Sequence, residues 1–339
     1  MKVAVVWNRS RKGVINRFGQ PCPEKYGKKT VDLIIGAIRE GGHEVELFEA
    51  DRRLCSKLMV YMPPDENGQP TGIVFNLAYG IQGECRYTHL PAMLEMAGVP
   101  YTGSSPMGHA LALDKVVTKI LLQHAGVPTP KFRVLPETNQ NTKGLRFPLI
   151  VKPRHESTSY GLKLVQNETE LDEAVKYIVE QYQQEALVEE YIDGREFCVG
   201  ILGNENAEIL PIVETDFGNR ELKLNTWDDK YHKSLAEPEK VCPAPINEDL
   251  AKRLQEISLA TFRACHCKDY SRIDIRVDKD GNPFVLEINS MASLGSGGSY
   301  VYSAKVAGLN FNSLINKILE VTSERYFGQT ADKAFAVTN

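Results

Sequence analysis

No stretch of the 339 residues reaches the roughly 18 consecutive apolar side chains that a membrane-spanning helix requires. The opening apolar run, residues 2–7, gives way at once to Asn8, Arg9, Arg11 and Lys12, so the long apolar core of a signal peptide is missing. The expected compartment is the cytoplasm, with no membrane partner. Charge of one sign is also lacking. Forty Lys and Arg against 44 Asp and Glu leave a formal net charge of -4, which gives no basic footprint for a nucleic-acid partner. The seven cysteines (Cys22, Cys55, Cys85, Cys198, Cys242, Cys265 and Cys267) are odd in number and scattered, and no two of them form a CxxC pair. They read as reduced thiols; Cys265-His266-Cys267 has no further ligands at metal-binding spacing. The GxxxxGK[ST] order of a P-loop is absent, and so is any internal repeat.

What remains is an ordinary globular composition, 42% hydrophobic and 25% charged, in a chain long enough for two or three α/β domains. Residues 2–7, 45–48 and 73–77 read as buried strands. Val31, Ile34, Ile35 and Ile38 recur at helical spacing and stop at Gly41-Gly42. Strands alternating with helices predict a parallel sheet covered on both faces, in a first domain over residues 1–107. The loop after the first strand carries Arg9, Arg11, Lys12, Pro21 and Pro23 and is long for its place. A helix over 110–125 opens a small α+β domain, 108–188, with strands at 148–152 and 162–165 and a helix at 168–181. The last domain, 189–328, takes strands at 186–191, 196–202 and 209–214, then a polar, lid-like stretch at 215–240. A helix at 250–263, a strand pair at 270–277 and 283–289, and a helix at 306–321 follow, with 329–339 as a tail.

Two clusters carry chemistry. Arg272-Ile273-Asp274-Ile275-Arg276 and Val285-Leu286-Glu287-Ile288-Asn289 flank the turn Asp280-Gly281-Asn282, which predicts a hairpin. Alternation puts Arg272, Asp274 and Arg276 on one face of the first strand and Glu287 and Asn289 on one face of the second. If the faces coincide, two carboxylates and an amide oxygen form a hard-cation site suited to Mg²⁺; otherwise they are the solvated face of an antiparallel pair. The second cluster, residues 150–161, sets Lys152 on a strand ahead of the hydroxyl-rich turn Ser157-Thr158-Ser159, an arrangement able to cradle an anion.

Several stretches in order then resemble the D-alanine–D-alanine ligase family of ATP-grasp enzymes: Tyr79-Gly80-Ile81-Gln82-Gly83-Glu84, Pro100-Tyr101-Thr102-Gly103-Ser104-Ser105, Ala112-Leu113-Asp114-Lys115, Val151-Lys152-Pro153, residues 189–197, Lys230-Tyr231, and the 272–289 hairpin. The resemblance implies an ATP-grasp fold, α/β with an α+β lid, in three domains, with nucleotide held between the central and C-terminal ones. It implies ATP-dependent, ADP-forming ligation of a small carboxylate to an amine through an acyl phosphate. Lys115 and Lys152 would hold ATP phosphates under a loop carrying Thr158 and Ser159. Glu189, Glu190, Tyr191 and Ile192 would line the adenine slot, and Glu196 would take the ribose. Asp274, Glu287 and Asn289 would ligate two Mg²⁺ ions, with Mn²⁺ as a substitute. Arg272 would steady the oxyanion, and Lys230 and Tyr231 would belong to the lid. Glu24, Tyr79, Glu84, Ser293, Gly298 and Ser299 would meet substrate, and a homodimer through the first domain is implied.

The departures fall at the substrate end. The family has a histidine where Tyr79 stands, a glycine where Ser157 stands, and Pro-Gly where the segment after Asn289 reads Ser290-Met291-Ala292-Ser293-Leu294-Gly295. Its N-terminal Gly-Gly-x-Ser-x-Glu loop is missing, leaving Glu24 as the stand-in for its glutamate. Tyr79, Tyr300 and Tyr302 are candidates to shape a pocket for a substrate larger than D-alanine. A phosphotransferase using the same metal site and a true D-alanine–D-alanine ligase are the alternative expectations.

Overall fold

A computed structural model describes residues 1–9, 24–140, 142–220, 222–224 and 238–328. Arg11, Lys12, Pro21, Pro23, Lys230, Tyr231 and the 329–339 tail lie outside them.

Strand β1 (Lys2–Trp7) is apolar on both faces because both faces are covered. It sits between β2 (Glu44–Glu49) and β3 (Gly72–Leu77) in a parallel sheet of order β2-β1-β3. Val3, Val5 and Trp7 meet Val31, Ile34 and Ile38 of α1 (Lys28–Glu40). Ala4 and Val6 point the other way, into Leu54 and Leu58 of α2 (Leu54–Tyr61) and Leu90 and Leu94 of α3 (His89–Met96). The C-terminal helix Phe311–Phe327 returns to this sheet and packs Leu314, Ile315 and Ile318 into the α1 core.

The expected helix over 110–125 is two helices, α4 (Pro106–Leu113) and α5 (Lys115–His124). Asp114 breaks them: its backbone is extended, and its carboxylate accepts from the Val116 and Val117 N–H groups to cap α5. The capping places Lys115 on the first turn of α5.

A second sheet is antiparallel, order β4-β7-β5-β6, from β4 (Phe132–Leu135), β5 (Leu149–Pro153), β6 (Lys163–Val165) and β7 (Ala186–Glu190). Helix α6 (Glu168–Tyr182), capped by Asn167, covers one face with Leu171, Val175 and Ile178. The strand read at 186–191 therefore belongs with the Lys152 strand and not with the strands that follow it. Ile150 pairs with Glu189 and Lys152 with Leu187, so Lys152 and Glu189 are diagonal neighbours on one face.

The third sheet runs β11-β10-β8-β12-β13, with β9 beside β8. Its strands are β8 (Gly194–Leu202), β9 (Glu208–Ile209), β10 (Val213–Asp216), β11 (Glu239–Val241), β12 (Tyr270–Asp278) and β13 (Pro283–Asn289). The strand expected over 209–214 is split around Pro211, which has no N–H to give a ladder. Helix α7 (Glu248–Ala264) buries Leu254 and Phe262 against Phe197, Val199, Ile273, Ile275 and Ile288. Cys265 and Cys267 are buried in that same core. The helix expected at 306–321 is likewise two, α8 (Ser299–Val306) and α9 (Phe311–Phe327), separated at Gly308 with φ +91 and restarted by the Asn310 cap.

Candidate active site

Antiparallel pairing of β12 and β13 sets Arg272 opposite Asn289 and Asp274 opposite Glu287. Their neighbours Ile273, Ile275 and Ile288 go into the core on the other face, so the polar groups converge by alternation alone. Asn289 Nδ2 lies 3.0 Å from Asp274 Oδ2. Arg272 grips the same carboxylate with both arms, Nε to Oδ1 and Nη2 to Oδ2, each at 2.7 Å. Burial opposes the Arg272 charge, but Asp274 outweighs it and the guanidinium pKa is raised. Asp274, Glu287 and Asn289 offer only oxygen donors once the Asn289 amide turns its carbonyl inward, and all three are half-buried. That donor chemistry fits a hard divalent cation.

Facing them are the lysines. Lys115 donates to the Glu156 carbonyl, and its Nζ is 3.8 Å from Glu287 Oε2. Burial lowers its pKa. Lys152 Nζ lies 2.5 Å from Glu189 Oε1. The other oxygen of Glu189 is 2.7 Å from Lys119 Nζ, which is wholly buried and also donates to Thr129 Oγ1 at 2.8 Å. Burial alone would raise the Glu189 pKa; Lys119 and Lys152 instead hold it down at about 2. Burial pushes Lys119 down to about 8. Thr158 and Ser159 follow in the turn with φ of 57 and 61, a left-handed conformation that is a real outlier for a β-branched threonine.

The end of the cleft that carries Tyr191, Ile192 and Glu196 is organised by Arg276, buried at 2% exposure. Its guanidinium reaches Glu196 Oε2 at 3.0 Å, the Tyr191 hydroxyl at 3.2 Å and the Ile192 carbonyl at 3.0 Å. Glu190 accepts from the Arg146 backbone N–H at 3.0 Å. Glu189 lines the cleft with residues 190–192, and both its carboxylate oxygens meet lysines.

At the far end, Tyr79 stacks on Tyr26 with centroids 5.3 Å apart and tilts against Tyr87 at 5.4 Å. Glu24 Oε2 accepts from the Tyr87 hydroxyl at 2.5 Å and from the Ser157 hydroxyl. Gly298 is extended and precedes α8, so the N-terminal N–H groups of that helix open beside Ser293 and Ser299. One cleft of about 470 Å³ is lined by Glu24, Tyr79, Lys115, Lys152, Thr158, Ser159, residues 189–192, Glu196, Arg272, Asp274, Glu287, Asn289, Ser293, Gly298 and Ser299.

Three expected contributors are elsewhere. Glu84 is exposed and borders a separate surface hollow with Asp114, Arg154 and Glu185. Left-handed Gly80 and Gly83 turn the chain there, and Arg86 goes into the site region in its stead. Tyr300 is core: its hydroxyl donates to the Ile201 carbonyl at 3.1 Å and its ring packs on Tyr270. Half-buried Tyr302 does not line the cleft. Lys119, Arg86, Tyr87 and the positioning role of Arg276 were not foreseen. Lys119 left a trace in sequence, since it falls on the apolar stripe of α5 with Lys115, Val116 and Leu122.

A sequence profile described as D-ala D-ala ligase C-terminus matches residues 121–320. The chain belongs to the D-alanine–D-alanine ligase-like family. The D-alanine–D-alanine ligase of Aquifex aeolicus is 33% identical over 308 residues, covering 90% of this chain and 99% of that one. A Sinorhizobium fredii protein, "Uncharacterized protein y4sG", is 53% identical over 332 residues, 97% of this chain and 98% of its own. The crystal structure of the Bacillus anthracis D-alanine–D-alanine ligase complexed with ATP superposes with a TM-score of 0.75 over 96% of this chain and 98% of that one, at 23% identity. The fold is the ATP-grasp fold, and this member of the D-alanine–D-alanine ligase-like family is an ADP-forming carbon–nitrogen ligase.

Proposed function

We propose that this ligase activates the carboxylate of an amino acid as an acyl phosphate at the expense of ATP and joins it to the amine of a second small amino acid, in a pocket shaped for something other than a pair of D-alanines. The observation that carries the reading is the single cleft in which Lys115 and Lys152 face the Asp274–Glu287–Asn289 group, with Glu24 at one end and the α8 N-terminus nearby. Nucleotide is assigned between the second and third sheets, its ribose on Glu196 and its base along residues 190–192. Mg²⁺ on Asp274, Glu287 and Asn289 would neutralise charge on the phosphoryl group in transit.

The chain's own groups do the rest. Lys115 and Lys152 orient phosphate oxygens, and the 155–160 turn covers them. Glu24, a carboxylate lining the cleft beside Arg86, suits the ammonium of an amino-acid substrate. The N–H groups at the start of α8 favour the carboxylate of the second substrate. Arg272, held in its fork on Asp274, is aimed at the oxyanion formed as the amine adds. Tyr79, stacked on Tyr26 at the position where the family resemblance implies a histidine, is the physical basis for a changed substrate.

The test is Mg²⁺-dependent ADP release against D- and L-amino acids and small carboxylates, singly and in pairs, with mass spectrometry of each positive. A condensed product that needs two partners is expected. A phosphorylated product from one partner, with no condensation, overturns the reading, and efficient turnover of D-alanine alone overturns the changed specificity.

A further inference from the structure

Arg86 follows the left-handed Gly83 in a single 3-10 turn, Arg86–Thr88, and is buried at 2% exposure. A guanidinium is costly to bury unless its donors are used. Those donors are spent on three consecutive residues of the phosphate-side turn. Nη1 donates to the His155 carbonyl at 2.7 Å, Nη2 donates to Ser157 Oγ at 3.3 Å, and Nη2 lies 3.5 Å from Glu156 Oε2. The same Nη2 is 3.7 Å from Glu24 Oε2, and Glu24 in turn accepts from the Ser157 hydroxyl. Glu156 is tied back as well, its carbonyl to Lys115 and its Oε1 to Gln184 Nε2 at 2.9 Å.

Directly after this anchored triplet come Thr158 and Ser159, the two left-handed residues that line the cleft. A strained pair of this kind persists only where its surroundings over-determine it. The planar fork of Arg86 supplies that constraint by fixing one backbone carbonyl and two side chains just upstream. It does so from the first sheet's side of the molecule, so the turn and Glu24 share one cation.

We propose that Arg86 is a positioning residue that holds the 155–159 turn in register for the terminal phosphate of the nucleotide and couples that turn to Glu24. The proposal rests on the nucleotide placement given above and not on the identity of the acceptor. A lysine keeps the charge but has no planar fork, so Arg86→Lys separates geometry from electrostatics.

The experiment is calorimetric titration of wild type, Arg86→Lys and Ser157→Ala with Mg–ADP and with the non-hydrolysable analogue Mg–AMP-PNP, alongside thermal unfolding of each. Arg86→Lys is expected to weaken AMP-PNP about tenfold or more while leaving ADP affinity in place, because only the terminal phosphate needs the turn. Ser157→Ala, which removes no charge but takes away the hydroxyl that meets Arg86, Tyr87 and Glu24, is expected to show a smaller loss of the same selectivity, and it carries the test if Arg86→Lys does not fold. Equal weakening of both nucleotides, or no change in either, overturns the proposal. Loss of AMP-PNP selectivity with no condensed product from any amino-acid pair sinks the ligase reading and leaves the role of Arg86 standing.

Discussion

Lys152 Nζ lies 2.5 Å from Glu189 Oε1, and the second oxygen of that carboxylate is 2.7 Å from Lys119 Nζ, so one buried anion serves two buried cations. The arrangement is asymmetric in its consequences. Removing the anion leaves the wholly buried Lys119 ammonium and the cleft-lining Lys152 without their shared partner, a loss of about 3–5 kcal/mol for a buried pair broken from one side. Glu189→Gln is therefore expected to lower the free energy of unfolding in urea by several kcal/mol and to weaken nucleotide binding, since Lys152 loses the partner that aims it. Unchanged nucleotide affinity in a folded Glu189→Gln protein would show that Lys152 is aimed by something else.

The same cluster gives a pH dependence with two limbs of known sign. Glu189 is held at about 2 against an ordinary 4.5, so its contribution to stability is complete above 4.5 and is lost as pH falls towards 2. Lys119 has the opposite sign. Pushed by burial from 10.5 to about 8, it costs stability below about 8, and that cost is lifted as pH rises from there to 10.5. Urea midpoints measured against pH should fall on the acid side in wild type and fall less in Glu189→Gln. Lys119→Met should lose the alkaline rise, and a rise that survives in it would assign the titration to another group.

The contrast between what the sequence disclosed and what it hid follows from sequence distance. The 272–289 hairpin was legible because alternation, a short turn and an apolar face on each strand lie within eighteen consecutive residues; that the two polar faces coincide was left open there, and the structure brings them together by pairing Asp274 with Glu287. The parallel first sheet was legible for the same reason, through runs that are apolar on both faces. Arg86 was not, since its partners His155 and Ser157 are 69 and 71 residues away and nothing near Arg86 marks it as buried. Glu24 was legible only through family resemblance, and the structure ties it to Ser157 across 133 residues. Helix boundaries failed at Asp114 and Gly308, where a cap and a left-handed glycine interrupt a continuous apolar stripe.

Asp274 anchors Arg272, and in the proposed function it is also an oxygen ligand of Mg²⁺, so a substitution there should be felt in both. Chelation with EDTA is expected to abolish ADP release and added Mg²⁺ to restore it. Asp274→Asn is expected to lower kcat by at least about a hundredfold even at saturating Mg²⁺. Arg272→Lys keeps the charge and loses the fork, so it should reduce kcat with little change in the Mg²⁺ needed for half-maximal rate. An Arg272→Lys enzyme that demands much more Mg²⁺ would place Arg272 in the metal site and not at the oxyanion.

Gly194 opens β8 opposite Asp278, and a Cβ built there would sit 1.9 Å from the Val277 carbonyl oxygen. No rotamer relieves a clash with backbone, so the β8–β12 pair must part locally. Gly194→Ala should cost more than about 2 kcal/mol in urea. Because Glu196 and its partner Arg276 lie on those two strands, Mg–ADP affinity should fall as well. A stability loss without any loss of ADP affinity would argue that the ribose end is held independently of this strand pair.

Tyr79 is the residue on which the substrate assignment turns, because it lines the cleft, stacks on Tyr26 and is 7% exposed. Burial raises its hydroxyl pKa well above the ordinary value, so it stays neutral and contributes shape and a hydrogen-bonding hydroxyl but no charge. Replacing it by the smaller, polar imidazole found in the family it resembles opens room beside Tyr87 and leaves the metal and phosphate groups untouched. Tyr79→His is therefore expected to raise kcat/KM for D-alanine relative to the preferred wild-type amino acid by about tenfold, the range available from a change in one pocket wall. Some stability should be lost with the stacked pair, measurable in the urea midpoint. A folded Tyr79→His enzyme with an unchanged ratio would confine Tyr79 to packing and move specificity to the Ser290–Gly298 side of the cleft, where the chain also departs from the family.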